Sequence, residues 1–127
     1  MIVDDAPACR KMHIKLVKNL ANTVDEACDG IECVSRMRSS IENDSPYDLI
    51  LLDNSMPKMS GPEASKIIRD MGSAVKIIGV TGNARGEDID LFLNHGADKV
   101  LLKPLHFDSI KDIIEGKNLD SFSQRSR

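Results

Sequence analysis

Tyr47-Asp48-Leu49-Ile50-Leu51-Leu52-Asp53, followed directly by Asn54-Ser55-Met56-Pro57-Lys58-Met59-Ser60-Gly61, is the stretch that decides the fold. Four apolar residues run into a carboxylate, and a loop bearing Pro57 and Gly61 takes over at once. A short, unbroken apolar run bounded by turn residues reads as a strand buried on both faces, as in parallel sheets packed between helices. The loop after such a strand leaves from its carboxyl end, where open α/β sheets bind ligands. Asp53 is therefore expected at the mouth of a site, on a rigid support. An Asp that merely caps the next helix is the plainer alternative. It fits poorly, because the loop is long and Pro57 comes too early for an immediate cap.

Downstream, Ser60-Gly61-Pro62 opens a helix whose inner face is Ala64, Ile67 and Ile68, and Gly72 stops it. Residues 75–80 form a second apolar strand that ends at Thr81-Gly82. Ile89, Phe92 and Leu93 give the next helix a face; Gly86 weakens its start and His95-Gly96 ends it. Residues 98–102 are the last strand, closed by Lys103-Pro104, and Phe107, Ile110, Ile113 and Ile114 carry the last helix. Upstream, Met1-Ile2-Val3 is a short strand ending at Asp4-Asp5. Pro7 stands in the first turn of a helix, where its missing N–H costs little, and Met12, Leu16 and Leu20, with Val17 beside them, are read as that helix's buried face. Residues 23–27 are a weak strand, Asp29-Gly30 marks a turn, and Ile31, Val34, Met37 and Ile41 space as a second helix. Strand and helix alternate five times. That pattern argues an α/β domain built on a parallel sheet, with helices on both faces and right-handed crossovers.

The 127 residues suit one domain with a single core. Hydrophobic residues make up 41% and charged residues 29%, as in ordinary globular proteins. A formal net charge of −3 gives no electrostatic footprint for nucleic acid or an anionic membrane. No apolar run approaches the roughly 18 residues needed to span a bilayer. Asp4 and Asp5 interrupt the only apolar stretch that could begin a signal peptide. Three cysteines without a disulfide spacing read as reduced thiols, so a cytoplasmic setting is expected. Cys9 and His13 are four apart on one helix, but two ligands do not make a metal site. From Glu115 the chain turns polar and loses its period. The expected division is a domain over residues 1–115 and a polar tail or linker over 116–127.

Every informative polar residue falls at the carboxyl end of an expected strand: Asp4 and Asp5, Asp53, Thr81 and Lys103. In a parallel sheet those ends share one rim. Two carboxylates about 4 Å apart repel by roughly 4 kcal/mol at an effective dielectric of 20. Three of them together require either a retained proton or a cation, and an all-oxygen ligand set with room for water suits Mg²⁺. Lys103 adds a compact positive charge that can pair with Asp53 or hold an anion attached there. Thr81 offers a hydroxyl to the same anion. This is a kit for phosphoryl transfer, with Asp53 as the nucleophile that forms an aspartyl phosphate. His13, His95 and His106 are read as surface or packing residues, none of them at the rim.

Ile2-Val3-Asp4-Asp5, Leu51-Leu52-Asp53 with Met56-Pro57 and Gly61, Val80-Thr81-Gly82, His95-Gly96-Ala97-Asp98 and Leu102-Lys103-Pro104 together resemble the receiver domain of two-component response regulators. The resemblance covers residues 1 to 114. It implies a flavodoxin-like (βα)5 sandwich with a five-stranded parallel sheet of order 2-1-3-4-5. It implies that Asp53 is the phosphoacceptor, Asp5 a direct Mg²⁺ ligand and Asp4 the second acid, acting through water. Ser55 matches the position whose backbone carbonyl completes the metal shell, Thr81 the switch hydroxyl and Lys103 the family's lysine. The Lys103–Pro104 bond is expected to be cis. The implied partner is a histidine kinase or histidine phosphotransfer domain, with an output domain or protein downstream, a homodimer as one possible assembly, and the face of the fourth helix, fifth strand and fifth helix as the part that switches. The domain would catalyse its own phosphorylation and dephosphorylation rather than turn over a substrate. The sequence departs from the family at Val100, where an aromatic residue is usual, and Asn83 occupies a position that tunes phosphate lifetime in the family.

Three alternatives compete. A haloacid-dehalogenase-like hydrolase needs an Asp-x-Asp pair, and Asp53-Asn54-Ser55 lacks it. A flavin module needs a Ser/Thr/Gly-rich phosphate loop after the first strand, where Asp4-Asp5 would repel a phosphate. A structural or dimerising receiver that is never phosphorylated would keep the acids as relics. The short first strand and the polar tail raise the expectation that the segment belongs to a larger regulator or a hybrid histidine kinase.

Overall fold

The computed structural model describes residues 1–83 and 85–116. The expected polar tail lies, beyond Gly116, outside the described residues. Five strands and five helices alternate: β1 (Ile2–Val3), α1 (Pro7–Val17), β2 (Glu26–Ala27), α2 (Gly30–Glu42), β3 (Leu49–Asp53), α3 (Gly61–Asp70), β4 (Lys76–Thr81), α4 (Gly86–Asn94), β5 (Lys99–Leu102) and α5 (Phe107–Ile114). All strand pairs are parallel and the sheet order is β2-β1-β3-β4-β5.

Side chains of a strand alternate between faces, so each apolar run feeds two cores. Ile50, Leu52 and Ile77 pack with Cys33, Val34, Met37, Ala64, Ile68 and Phe92 on one face. Leu51, Ile78 and Val80 pack with Val17, Leu105, Ile110 and Ile113 on the other. This double burial is why β3 and β4 read as unbroken apolar runs.

Three sequence readings are corrected. The buried face of α1 is His13 and Val17, with Ile14 and Leu16 partly covered, while Met12 is 56% exposed. In α2 the buried face is Cys33, Val34, Met37 and Ser40, whereas Ile31 and Ile41 stay exposed. The strand expected over residues 23–27 shrinks to Glu26–Ala27, a short strand at the edge of the sheet beside β1.

The His95-to-Asp98 motif has a structural role. Arg69, near the end of α3, donates from Nε to the Gly96 carbonyl (3.0 Å) and from Nη1 to the carbonyls of Ser73 (3.1 Å) and Val75 (2.6 Å). Its Nη2 reaches Asp98 Oδ2 at 3.0 Å, and that oxygen also accepts from the Ile77 backbone N–H. One guanidinium thus clamps α3, the start of β4 and the α4–β5 turn, where Gly96 turns with φ +107. Arg69→Ala is expected to lower stability by about 2–3 kcal/mol, because hydrogen bonds from a charged donor to part-buried acceptors are lost together. Arg69→Lys keeps the charge but not the fork, and should recover less than half. Urea midpoints of the three proteins check this; a fall of under roughly 0.5 kcal/mol in Arg69→Ala, the scale of an ordinary surface change, would show that the clamp is idle.

Candidate functional site

The register of the sheet assembles the acids. Val3 pairs with Leu52, so the next residues, Asp4 and Asp53, stand side by side at the carboxyl ends of β1 and β3. Asp4 is almost fully buried. Its Oδ1 accepts from the Ala6 backbone N–H at 2.9 Å, which anchors the turn into α1. Asp53 is also buried, while Asp5 is exposed. Oxygens of Asp4, Asp5 and Asp53 all lie within 4.8 Å of one another.

β5 delivers the counter-charge. The Lys103 N–H donates to the Thr81 carbonyl at 2.8 Å, which carries the β4–β5 pairing to the rim. The Lys103–Pro104 bond is cis. Lys103 Nζ lies 2.8 Å from Asp53 Oδ1 and 3.2 Å from Asp4 Oδ2. Burial pushes the Asp53 carboxyl above the usual carboxylate range; the Lys103 hydrogen bond opposes this, and the charges of Asp4 and Asp5 add to it. For Lys103, burial pulls the ammonium down, but the hydrogen bond and charge of Asp53, with Asp4 behind them, leave it above its ordinary value. Counted formally, three carboxylates face one ammonium, an excess of two negative charges. A divalent cation among them would remove that excess, and an all-oxygen donor set fits a hard ion.

The other expected site residues are placed less directly. Thr81 is buried at the end of β4, one residue beyond Val80, the register partner of Asp53. Its Oγ1 accepts from the Asn83 backbone N–H at 3.1 Å, closing the loop after the strand. Ser55 is exposed in the loop two residues after Asp53. Val100 is buried in the same core cluster as Phe92.

One rim residue escaped the sequence reading. His13 is buried with Nδ1 4.0 Å from Asp4 Oδ2, so a histidine does stand beside the rim. Burial holds its imidazole below the ordinary value, against the pull of Asp4 and with the push of Lys103. The available signal was its spacing of four from Val17, which places both on one helix face. Arg10 was also missed. It donates to the Asp4 carbonyl at 2.8 Å and pairs with Glu26 at 2.7 Å, tying α1 to the end of β1 and to β2.

The sequence model of the response regulator receiver domain matches residues 1–115. The chain belongs to that family. This receiver domain is 35% identical over 114 residues to the transcription factor SKN7 of Chaetomium thermophilum; the match covers 90% of this chain and 14% of that protein. It superposes with a TM-score of 0.77 on the receiver domain of the histidine kinase CKI1 from Arabidopsis thaliana, at 29% identity, covering 91% of this chain and 88% of that one. A chain of the CheX–CheY–BeF3–Mg²⁺ complex from Borrelia burgdorferi is similar at 25% identity with a TM-score of 0.80, over 91% and 84% of the two chains. The receiver domain therefore spans a small part of SKN7. It is a module of two-component signalling with the flavodoxin-like strand order, and among its described residues no helix is long and apolar enough to cross a membrane.

Proposed function

We propose that Asp53 accepts a phosphoryl group from a phosphohistidine on a histidine kinase or histidine phosphotransfer domain, in the cytoplasm, with residues 1–115 acting as the receiver unit. The observation that carries this reading is the triad of carboxylates within 4.8 Å, bridged at two points by Lys103. An Asp53 oxygen attacks phosphorus as the P–N bond to the donor imidazole breaks, and the electron pair leaves with the ring. Asp4, Asp5, Asp53 and the Ser55 carbonyl are the groups that would hold Mg²⁺, which when bound neutralises charge on the phosphoryl oxygens. Lys103 supplies the second positive charge and Thr81 a hydroxyl for the anion once it is attached. The α4–β5–α5 face is the part that changes, and a further domain or protein reads it. The likeness to a chain of the CheX–CheY–BeF3–Mg²⁺ complex supports the choice of chemistry, because a fluoride complex of that kind stands in for a phosphoryl group.

The test is incubation with acetyl phosphate, with Mg²⁺ or with chelator, followed by intact mass and peptide mapping. Gain of one phosphoryl mass on Asp53, dependent on the cation, is the expected result. Steady release of phosphate from a small ester would instead indicate a hydrolase, and an inert chain a purely structural receiver.

Lys103→Ala separates two roles. Loss of a preorganised charged donor should slow labelling roughly a hundredfold. Loss of a competing cation should tighten Mg²⁺ binding several-fold, since like charges at this range repel appreciably. Labelling rates and a Mg²⁺ titration followed by NMR check both signs; parallel weakening of the two would contradict the role given to Lys103.

A further inference from the structure

α4 is weakly held by its own sequence. It starts at Gly86, has no side-chain cap, and among the described residues Phe92 is its one buried member. Ile89 and Leu93 pack only partly against the core. Its C-terminal turn is tied to α3 by Ser65 and Arg69, and the deepest anchor along the helix itself is the Phe92 ring.

That ring sits between two glycines. A Cβ on Gly79, in β4, would lie 2.7 Å from Phe92 Cδ2 and Cε2. A Cβ on Gly61, the first residue of α3, would lie 2.7 Å from Phe92 Cζ and 2.2 Å from the Asp53 carbonyl oxygen. Gly79 alternates with Ile78 and Val80, so it faces the same layer as Ile77 and leaves a socket for the ring. Gly61 closes the loop after β3 by donating to the Asn54 carbonyl at 2.8 Å. The path from the Asp53 backbone to α4 is then a backbone–backbone contact followed by a backbone–ring contact, with no flexible side chain in between.

We propose that Phe92 is the positioning residue that couples α4 to the Asp53 loop. The inference rests on the phosphoacceptor reading above. Close-packed contacts do not absorb sub-ångström shifts, so a displacement of the loop at Gly61 pushes the ring, and the ring carries the helix. A rigid ring seated on two backbones gives α4 discrete seats rather than a continuum.

The experiment is hydrogen exchange of α4 amides in the full chain, without and with beryllium fluoride and Mg²⁺. Binding is followed separately through the amides around Asp53, and folding through urea midpoints. The parent chain should show a change in α4 exchange of about tenfold or more on binding, the size of an ordinary allosteric coupling. The pair Phe92→Ala with Gly79→Leu refills the socket from the strand side and detaches the helix. It should fold and bind beryllium fluoride, yet its α4 response should fall below about twofold. Phe92→Leu, which only loosens the seat, should give an intermediate response with binding retained. An α4 response equal to the parent's in either variant would overturn the proposal and reduce Phe92 to filler. Failure of the parent chain itself to bind beryllium fluoride with Mg²⁺ would overturn the phosphoacceptor reading, and this one with it.

Discussion

Asp53→Asn is expected to lose phosphoryl uptake from acetyl phosphate by roughly a thousandfold or more, the scale on which removal of an enzymatic nucleophile is felt. The substitution keeps the shape of the side chain and removes only its charge and nucleophilicity. Lys103 keeps its contact with Asp4, so the rim should survive. Neither remaining acid is a ready substitute. Asp4 is buried, with Oδ1 held by the Ala6 N–H and Oδ2 by Lys103. Asp5 is exposed, and among the described residues the Lys103 ammonium pairs with Asp53 and Asp4 rather than with it. Intact mass after incubation, with circular dichroism to show a native fold, checks the outcome. Labelling of Asp53→Asn at the wild-type rate would remove Asp53 from the centre of the site.

The same substitution separates the proposed switch from its competitors. An aspartyl-phosphate hydrolase would also die on losing its nucleophile, but the wild type would turn over. A structural receiver would leave wild type and variant equally unlabelled. Only a phosphoacceptor gives a single label without steady turnover in one protein and none in the other.

The sequence disclosed what depends on single elements. β3 could be read from its apolar run, and the rim from acids and a lysine at strand ends, because strand direction alone puts those ends together. The helix faces were harder. In α1 the apolar count favoured Met12, yet the helix turns His13 and Val17 inward; a histidine carries little weight in a hydrophobicity pattern even when its ring is covered. In α2 the middle of the apolar series, Val34 and Met37, is buried as expected, but its ends, Ile31 and Ile41, stayed outside, and Cys33 and Ser40, small residues with weak apolar signal, went in. β2 was overextended because an edge strand pairs on one side only, so little of residues 23–27 was held in the ladder. The Phe92 socket was not legible at all. Gly79 and Gly61 look like a weak spot in a strand and a turn residue, and their shared purpose appears only when β4, α3 and α4 meet.

Gly61→Ala should be the most damaging of the small substitutions, costing about 3 kcal/mol or more, since overpacking against backbone cannot be relieved by a rotamer change. Gly61 does not use the left-handed backbone region; what it provides is space. The added Cβ would meet the Asp53 carbonyl oxygen at 2.2 Å, the Asp53 carbonyl carbon at 3.0 Å and Phe92 Cζ at 2.7 Å. Retreat of the loop would break the Gly61-to-Asn54 hydrogen bond and displace the start of α3, where Ser60 and Glu63 cap each other's backbone N–H groups. Retreat of Asp53 would move the acid itself. Against a total stability of about 5–15 kcal/mol, this is a large fraction for one methyl group. Gly86→Ala is the matched control: nothing lies within 4 Å of its added carbon, and at the start of α4 it should gain a few tenths of a kcal/mol from helix propensity. Urea midpoints of the two variants should move in opposite directions. If Gly61→Ala unfolded at the wild-type midpoint, the close approach of α3 to the Asp53 carbonyl would be wrong, and with it the route by which that loop touches Phe92.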